Sequence, residues 1–213
     1  MANWIECSLC RSEVSTNTFG FLSAAIAGTT KHKNSNNLAS TAIILHDPLI
    51  MPRTPFRVLF VCLGNICRSP AGENILRHLV AEAGLLDDIE IDSAGTHDYH
   101  PGKAPDKRMT RVLGKRGITN AGRGRQFTTH DFEDFDLILT MDSENLSNVQ
   151  RLDPENNHSH KVKRMTDFCT QPDFQIADVP DPYYGGTDGF EFVADLLLNG
   201  CAGVLDHIQS TTR

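Results

Sequence analysis

The 213-residue chain is 39% hydrophobic, 22% charged and 7% aromatic, the make-up of a soluble globular protein with one domain and an appendage. Its 27 acidic against 20 basic residues leave a net charge of −7, which argues against a general affinity for nucleic acid or anionic membrane. No apolar run approaches the roughly 18 residues of a membrane span, and six scattered cysteines (Cys7, Cys10, Cys62, Cys67, Cys169, Cys201) are too few for a disulfide framework.

Residues 1–56 hold twelve Ser or Thr, three acids (Glu6, Glu13, Asp47), and no sustained helix or strand period. The polar stretch Lys31 to Asn37 reads as a disordered linker. Cys7-x2-Cys10 has half of a zinc spacing without the other half, so no metal site is expected. The expectation for 1–56 is an unstructured extension, with a targeting segment or a start at Met51 as alternatives, and for 57–213 one catalytic domain. The compartment expected is reducing and cytoplasmic, or an organelle if residues 1–50 are a transit peptide.

From residue 57 strands and helices alternate. Val58-Leu59-Phe60-Val61 suits a strand buried on both faces. Ser69-Pro70 predicts a helix start, serine as cap and proline at the first helical position, with Ile75, Leu76, Leu79, Val80 and Ala83 as its apolar face and Gly84 as its stop. Ile89 to Ile91 is a short strand, Pro105 to Arg116 a helix ended by Gly117, Leu137 to Leu139 a third strand, and a polar helix follows from Ser143. Val162 lies in a fourth strand. The last helix, capped by Thr187, runs through Phe190, Val193, Ala194, Leu197, Leu198, Cys201, Val204, Leu205 and Ile208 at helical spacing. This order predicts an α/β fold, three layers with a four-stranded parallel sheet between helices.

In such folds ligands sit at the turn from strand to helix. Here that turn is Cys62-Leu63-Gly64-Asn65-Ile66-Cys67-Arg68-Ser69. It lacks the lysine of a nucleotide loop, but its backbone N–H groups can converge on a tetrahedral oxyanion. Gly64 and Asn65 tolerate left-handed conformations, the following helix adds its positive end, and Arg68 offers a fork for two phosphate oxygens. Cys62, at the strand end, faces the same anion. A free thiol is only a few per cent thiolate at neutral pH; an arginine, a helix terminus and the Ser69 hydroxyl all favour the anionic, nucleophilic form.

Phe60 to Pro70 resembles, almost letter for letter, the signature of the low-molecular-weight protein tyrosine phosphatases. So does Asp181-Pro182-Tyr183-Tyr184-Gly185-Gly186, with Ile91-Asp92-Ser93, Arg125-Gln126 and Met141-Asp142 in order between them. The resemblance covers about 57–209. It implies a phosphate-binding loop after the first strand, Cys62 as nucleophile forming a thiophosphate, Arg68 as clamp, and Ser69 as stabiliser of the thiolate. It further implies Asn65 holding the loop in contact with Ser93, and Asp181 as general acid to the departing phenol. Tyr99 would stack on the substrate ring, with Tyr183 and Tyr184 as the opposite wall. Leu63, Gly64, Ile66 and Cys67 would complete the cradle. The family carries a histidine in the network behind the loop, where this chain has Gly122, and Met-Ala-Glu where it has Ala71-Gly72-Glu73. The implied partners are phosphotyrosine proteins, with phosphate and vanadate as inhibitors, no cofactor, and a monomeric enzyme. Three other readings are weighed. Arsenate reduction lacks a closely spaced downstream cysteine pair, phosphoarginine hydrolysis goes with threonine at Ile66, and a binding module without turnover needs no thiol.

Overall fold

The computed structural model describes residues 54–211. The expectations for the extension and for a start at Met51 lie outside them, except that the first strand, β1, already begins at Phe56.

β1 (Phe56–Cys62) leads into α1 (Arg68–Glu82), β2 (Ile89–Gly95), α2 (Lys107–Lys115), a one-turn α3 (Asp131–Asp134), β3 (Leu137–Thr140), α4 (Ser143–Gln150) and β4 (Val162–Arg164). Two tight 3-10 turns, Met165–Phe168 and Pro172–Phe174, then precede the long α5 (Thr187–Thr211). The four strands form one sheet in the order β2-β1-β3-β4, every pairing parallel. β1 is therefore paired on both edges, Cys62 opposite Gly95 and Val61 opposite Thr140.

Side chains of β1 alternate between two cores, as the period of two demands. Val58, Phe60 and Cys62 pack with α1, α2 and α5 through Ile75, Leu76, Val112, Phe190 and Leu197. Leu59 and Val61 face the other way, onto Phe127, Phe132, Ile138 and Val149 of the α3 and α4 side. Val58 to Val61 have no exposed surface at all, which is why they read as an unbroken apolar run. The result is the expected three-layer α/β/α arrangement.

Local expectations are corrected at three places. Ser69 does not cap α1, because the helix starts at Arg68 with Cys67 before it and no side-chain cap. The Ser69 hydroxyl is taken up by Cys62, Asn65 and the Ala94 carbonyl instead. Gly64 is not in the left-handed region; in the loop only Asn65 is, with φ 53°. Glycine serves at 64 for space, since a Cβ there would lie 3.1 Å from His100 Cδ2. On α5, Thr187 is the first helical residue, Leu196 and Gly200 join the buried face, and Leu198 and Leu205 flank it half-buried.

Candidate active site

The loop between β1 and α1 closes around Cys62, whose side chain is 3% exposed at the end of the central strand. Its sulfur lies 2.9 Å from Ser69 Oγ. Asn65 holds the loop from behind. Its Oδ1 accepts the Arg125 backbone N–H at 2.9 Å, and its Nδ2 donates to Ser69 Oγ and Ser93 Oγ, both at 2.9 Å. Left-handed backbone is cheapest for Gly and Asn, so an asparagine here supplies both the conformation and the bracing.

Arg68, 3% exposed, is aimed by two carboxylates on separate loops. Nη1 donates to Asp142 Oδ2 at 2.6 Å and to the Val179 carbonyl at 3.0 Å, while Nη2 donates to Asp181 Oδ2 at 3.0 Å. Burial alone pulls the guanidinium down, but Cys62, Asp181 and Asp142 facing it outweigh that, and its value is raised. Asp142 does two jobs with two oxygens, since its Oδ1 accepts the Asn145 N–H and so caps α4. Asp181 is held in turn by its own loop, Oδ1 accepting the Tyr183 N–H at 3.0 Å, the local turn that Asp favours.

These groups meet in one pocket of about 490 Å³, counting its open mouth. It is lined by Cys62, Leu63, Gly64, Ile66, Cys67, Arg68 and Asp181 together with the rings of Tyr99, His100, Tyr183 and Tyr184. Tyr99 stacks on His97, ring centroids 5.0 Å apart, and Tyr183 meets Tyr184 edge-on at 5.1 Å. Arg108 fixes Tyr183, donating to its carbonyl at 2.9 Å with its guanidinium 5.1 Å from the ring centroid. Asp106 anchors Arg108 by a 2.8 Å ion pair and ties its own N–H to the Ile66 carbonyl at 2.7 Å, linking Tyr183 to the loop. The Arg108 hydrogen bond holds the Asp106 carboxyl below its ordinary value.

Ser93 and Asn65 join through a network that includes a residue absent from the expected set. Ser93 Oγ donates to Glu73 Oε2 at 2.7 Å, and Glu73 Oε1 accepts from Arg77 at 2.8 Å. Burial pushes the Glu73 carboxyl up, against the Ser93 and Arg77 bonds. Gly122 has φ 139° and cannot take a side chain there without strain, and a Cβ built on it would lie 3.9 Å from Glu73 Oε2. Arg108 and His100 have no place in the sequence reading, and Glu73 and Asp142 enter it only as parts of quoted motifs, without a role.

Among the described residues no cluster of His, Cys, Asp and Glu could hold a metal ion, and no helix is long and apolar enough to cross a membrane. The arrangement gathers a sulfur, a guanidinium, a carboxyl and tyrosine rings around one pocket.

Residues 57–213 match the family model of the low molecular weight phosphotyrosine protein phosphatases. The chain belongs to that family. A Synechocystis protein bearing the low molecular weight protein-tyrosine-phosphatase name is 52% identical over 149 residues, covering 70% of this chain and 94% of that one. The low molecular weight protein-tyrosine-phosphatase YfkJ of Bacillus subtilis is 44% identical over 153 residues, 71% of this chain and 95% of its own. Its crystal structure superposes with a TM-score of 0.70 at 41% identity, covering 75% of this chain and 98% of that one. A Drosophila arginine phosphatase structure matches at TM-score 0.65 and 33% identity, covering 71% and 96%. Membership in the low molecular weight phosphatases accounts for the sheet and the loop together.

Proposed function

We propose that the protein hydrolyses phosphotyrosine in proteins, and aryl phosphate monoesters generally, through a thiophosphate on Cys62. The observation that carries this is the meeting of Cys62, Arg68 and Asp181 in one tyrosine-walled pocket. The loop N–H groups and the uncapped N-terminus of α1 bind the phosphate oxygens, and Arg68 clamps two of them. Sγ attacks phosphorus as the ester oxygen leaves, and Asp181 gives that oxygen its proton, so that phenol departs rather than phenolate. Water then attacks the thiophosphate, Asp181 taking its proton, and the sulfur leaves as a thiolate stabilised by the Ser69 hydroxyl. Inorganic phosphate is released.

Tyr99 and the Tyr183–Tyr184 pair fit a flat ring between them, which favours phosphotyrosine over the shorter phosphoserine. Ile66 lines the same pocket and offers a phosphoarginine nitrogen no hydrogen bond. Phosphate and vanadate compete for the cradle. The four cysteines of the described residues are free and buried, which suits the reducing cytoplasm.

The test is turnover of p-nitrophenyl phosphate. Activity should persist in EDTA, fall with added vanadate, and vanish in Cys62→Ser, which should still bind phosphate. Full activity in Cys62→Ser would overturn the mechanism.

A further inference from the structure

Glu73 touches no part of the pocket, yet four hydrogen bonds connect it to the sulfur. They run from Glu73 Oε2 to Ser93 Oγ (2.7 Å), to Asn65 Nδ2 (2.9 Å), to Ser69 Oγ (2.9 Å) and to Cys62 Sγ (2.9 Å). The direction of each follows from groups that have no choice. The Arg125 backbone N–H can only donate, so the atom facing it is the Asn65 oxygen. Both hydrogens of the Asn65 amide then go to the two serines. Ser93 Oγ is an acceptor towards Asn65, and its own hydrogen goes to Glu73, a carboxylate that can only accept. Ser69 Oγ is likewise an acceptor towards Asn65, which leaves its hydrogen for the Cys62 sulfur or the Ala94 carbonyl at 3.2 Å.

We propose that Glu73 is a positioning residue for Cys62: by drawing the Ser93 hydrogen towards α1 it keeps Ser93 an acceptor for the Asn65 amide, which the Arg125 N–H orients from the other side, and so helps to leave the Ser69 hydroxyl free to donate to the thiolate. Hydrogen bonds in such a chain strengthen one another in a dry interior. Ser69 is unexposed, Asn65 is 2% exposed, and Ser93 is 4% exposed. Glu73 itself is 8% exposed, and its other oxygen is occupied by Arg77, so the carboxylate is oriented as well as placed. Next to Glu73 stands Gly122, at φ 139°, where a Cβ would lie 3.9 Å from Oε2.

This rests on the phosphatase reading of Cys62, so the test has a readout that needs no turnover. The rate of Cys62 alkylation by iodoacetamide, followed on its peptide by mass spectrometry across pH, reports the thiolate in the full chain. In Glu73→Gln the amide oxygen goes to Arg77 and the NH2 turns on Ser93, reversing that link. The midpoint of the alkylation profile should rise by about one pH unit, a tenfold loss of thiolate below it. Turnover number on p-nitrophenyl phosphate should fall about tenfold with KM changed less than twofold. Ser93→Ala should do the same, and adding Glu73→Gln to Ser93→Ala should cost nothing further. Arg77→Gln, which removes the ion pair and spares Ser93, should move the midpoint less than half as far. Where Glu73→Gln does not fold, Glu73→Asp, one methylene short of Ser93, should shift the profile the same way. An unmoved midpoint in a folded Glu73 variant, or additivity with Ser93→Ala, overturns the proposal. A shifted profile in a protein with no phosphatase turnover would leave the network standing and sink the catalytic reading instead.

Discussion

Arg68 Nη2 and Asp181 Oδ2 lie 3.0 Å apart, so the group assigned to clamp phosphate and the group assigned to protonate the product are each other's partner. A phosphate entering the cradle competes with Asp181 for that Nη2, while Nη1 stays with Asp142 and the Val179 carbonyl. Asp181→Ala should therefore bind phosphate and vanadate more tightly than the parent protein. Its turnover of phenolic esters should fall about 10²–10⁴-fold, the usual contribution of a placed acid, and less for esters of more acidic phenols. Inhibition constants for vanadate beside a leaving-group series check both halves. Weaker vanadate binding in Asp181→Ala would show that the ion pair does not compete with the ligand.

The Cys67 thiol sits in the same loop, and its value is pushed up by burial first and by the Cys62 charge second. Peroxide converts the Cys62 thiolate to a sulfenic acid, which removes that second cause. Cys67 then attacks the sulfenyl sulfur, a disulfide forms, and water leaves. Peroxide inactivation should be reversed by dithiothreitol, and Cys67→Ser should lose most of the recovery. Peptide mapping without a Cys62–Cys67 crosslink would refute this.

The raised thiols also make stability fall in alkali. Cys67, Cys169 and Cys201 are all held protonated by burial above their ordinary value of 9.0. Unfolding frees them to ionise. Above about pH 9 the folded chain therefore holds more protons than the unfolded one, and stability falls as pH rises, by about 1.4 kcal/mol per pH unit for each thiol. Urea unfolding at pH 8, 9 and 10 should show this slope, with Cys67→Ser losing one thiol's share.

At Gly72 two effects oppose. Alanine in a helix interior is favoured over glycine by about 1 kcal/mol. A Cβ there would lie 2.6 Å from Phe60 Cδ1, in the core between α1 and β1, and such overpacking costs about 1–3 kcal/mol. Gly72→Ala should be destabilising overall, and Phe60→Leu in the same chain should cost less than the two changes summed, as a double-mutant cycle in urea would read.

What sequence made legible follows from how locally each feature is encoded. β1 and α5 were clear because their burial makes a continuous apolar run in one and a helical stripe in the other. Cys62, Arg68 and Asn65 were clear because a strand, a short loop and a helix put them together within eight residues. Asp142 was quoted in the resemblance without a role, although aspartate before a helix reads as a cap. Its second oxygen reaches Arg68 only because β3 lies beside β1, and that pairing has no local signal. Glu73 is quoted in the resemblance only as the shared last residue of Ala71-Gly72-Glu73, without a role. Its burial depends on β2 passing behind the helix. Ser69 reads locally as a cap, but its hydroxyl is drawn back into the loop by Cys62 and Asn65 and across to the Ala94 carbonyl of β2.

The order β2-β1-β3-β4 places the strand that ends in Cys62 between two paired neighbours, while Tyr184, at the pocket's rim, is 93% exposed. Stiffness therefore falls off from the sulfur outwards. Amide hydrogens of Leu59 to Val61 should exchange only on global unfolding, and those of Tyr183 to Gly186 through small local openings. A substrate loop can displace the rim and leave the attacking atom in register, and rim residues can be exchanged for others without retuning the nucleophile beneath them.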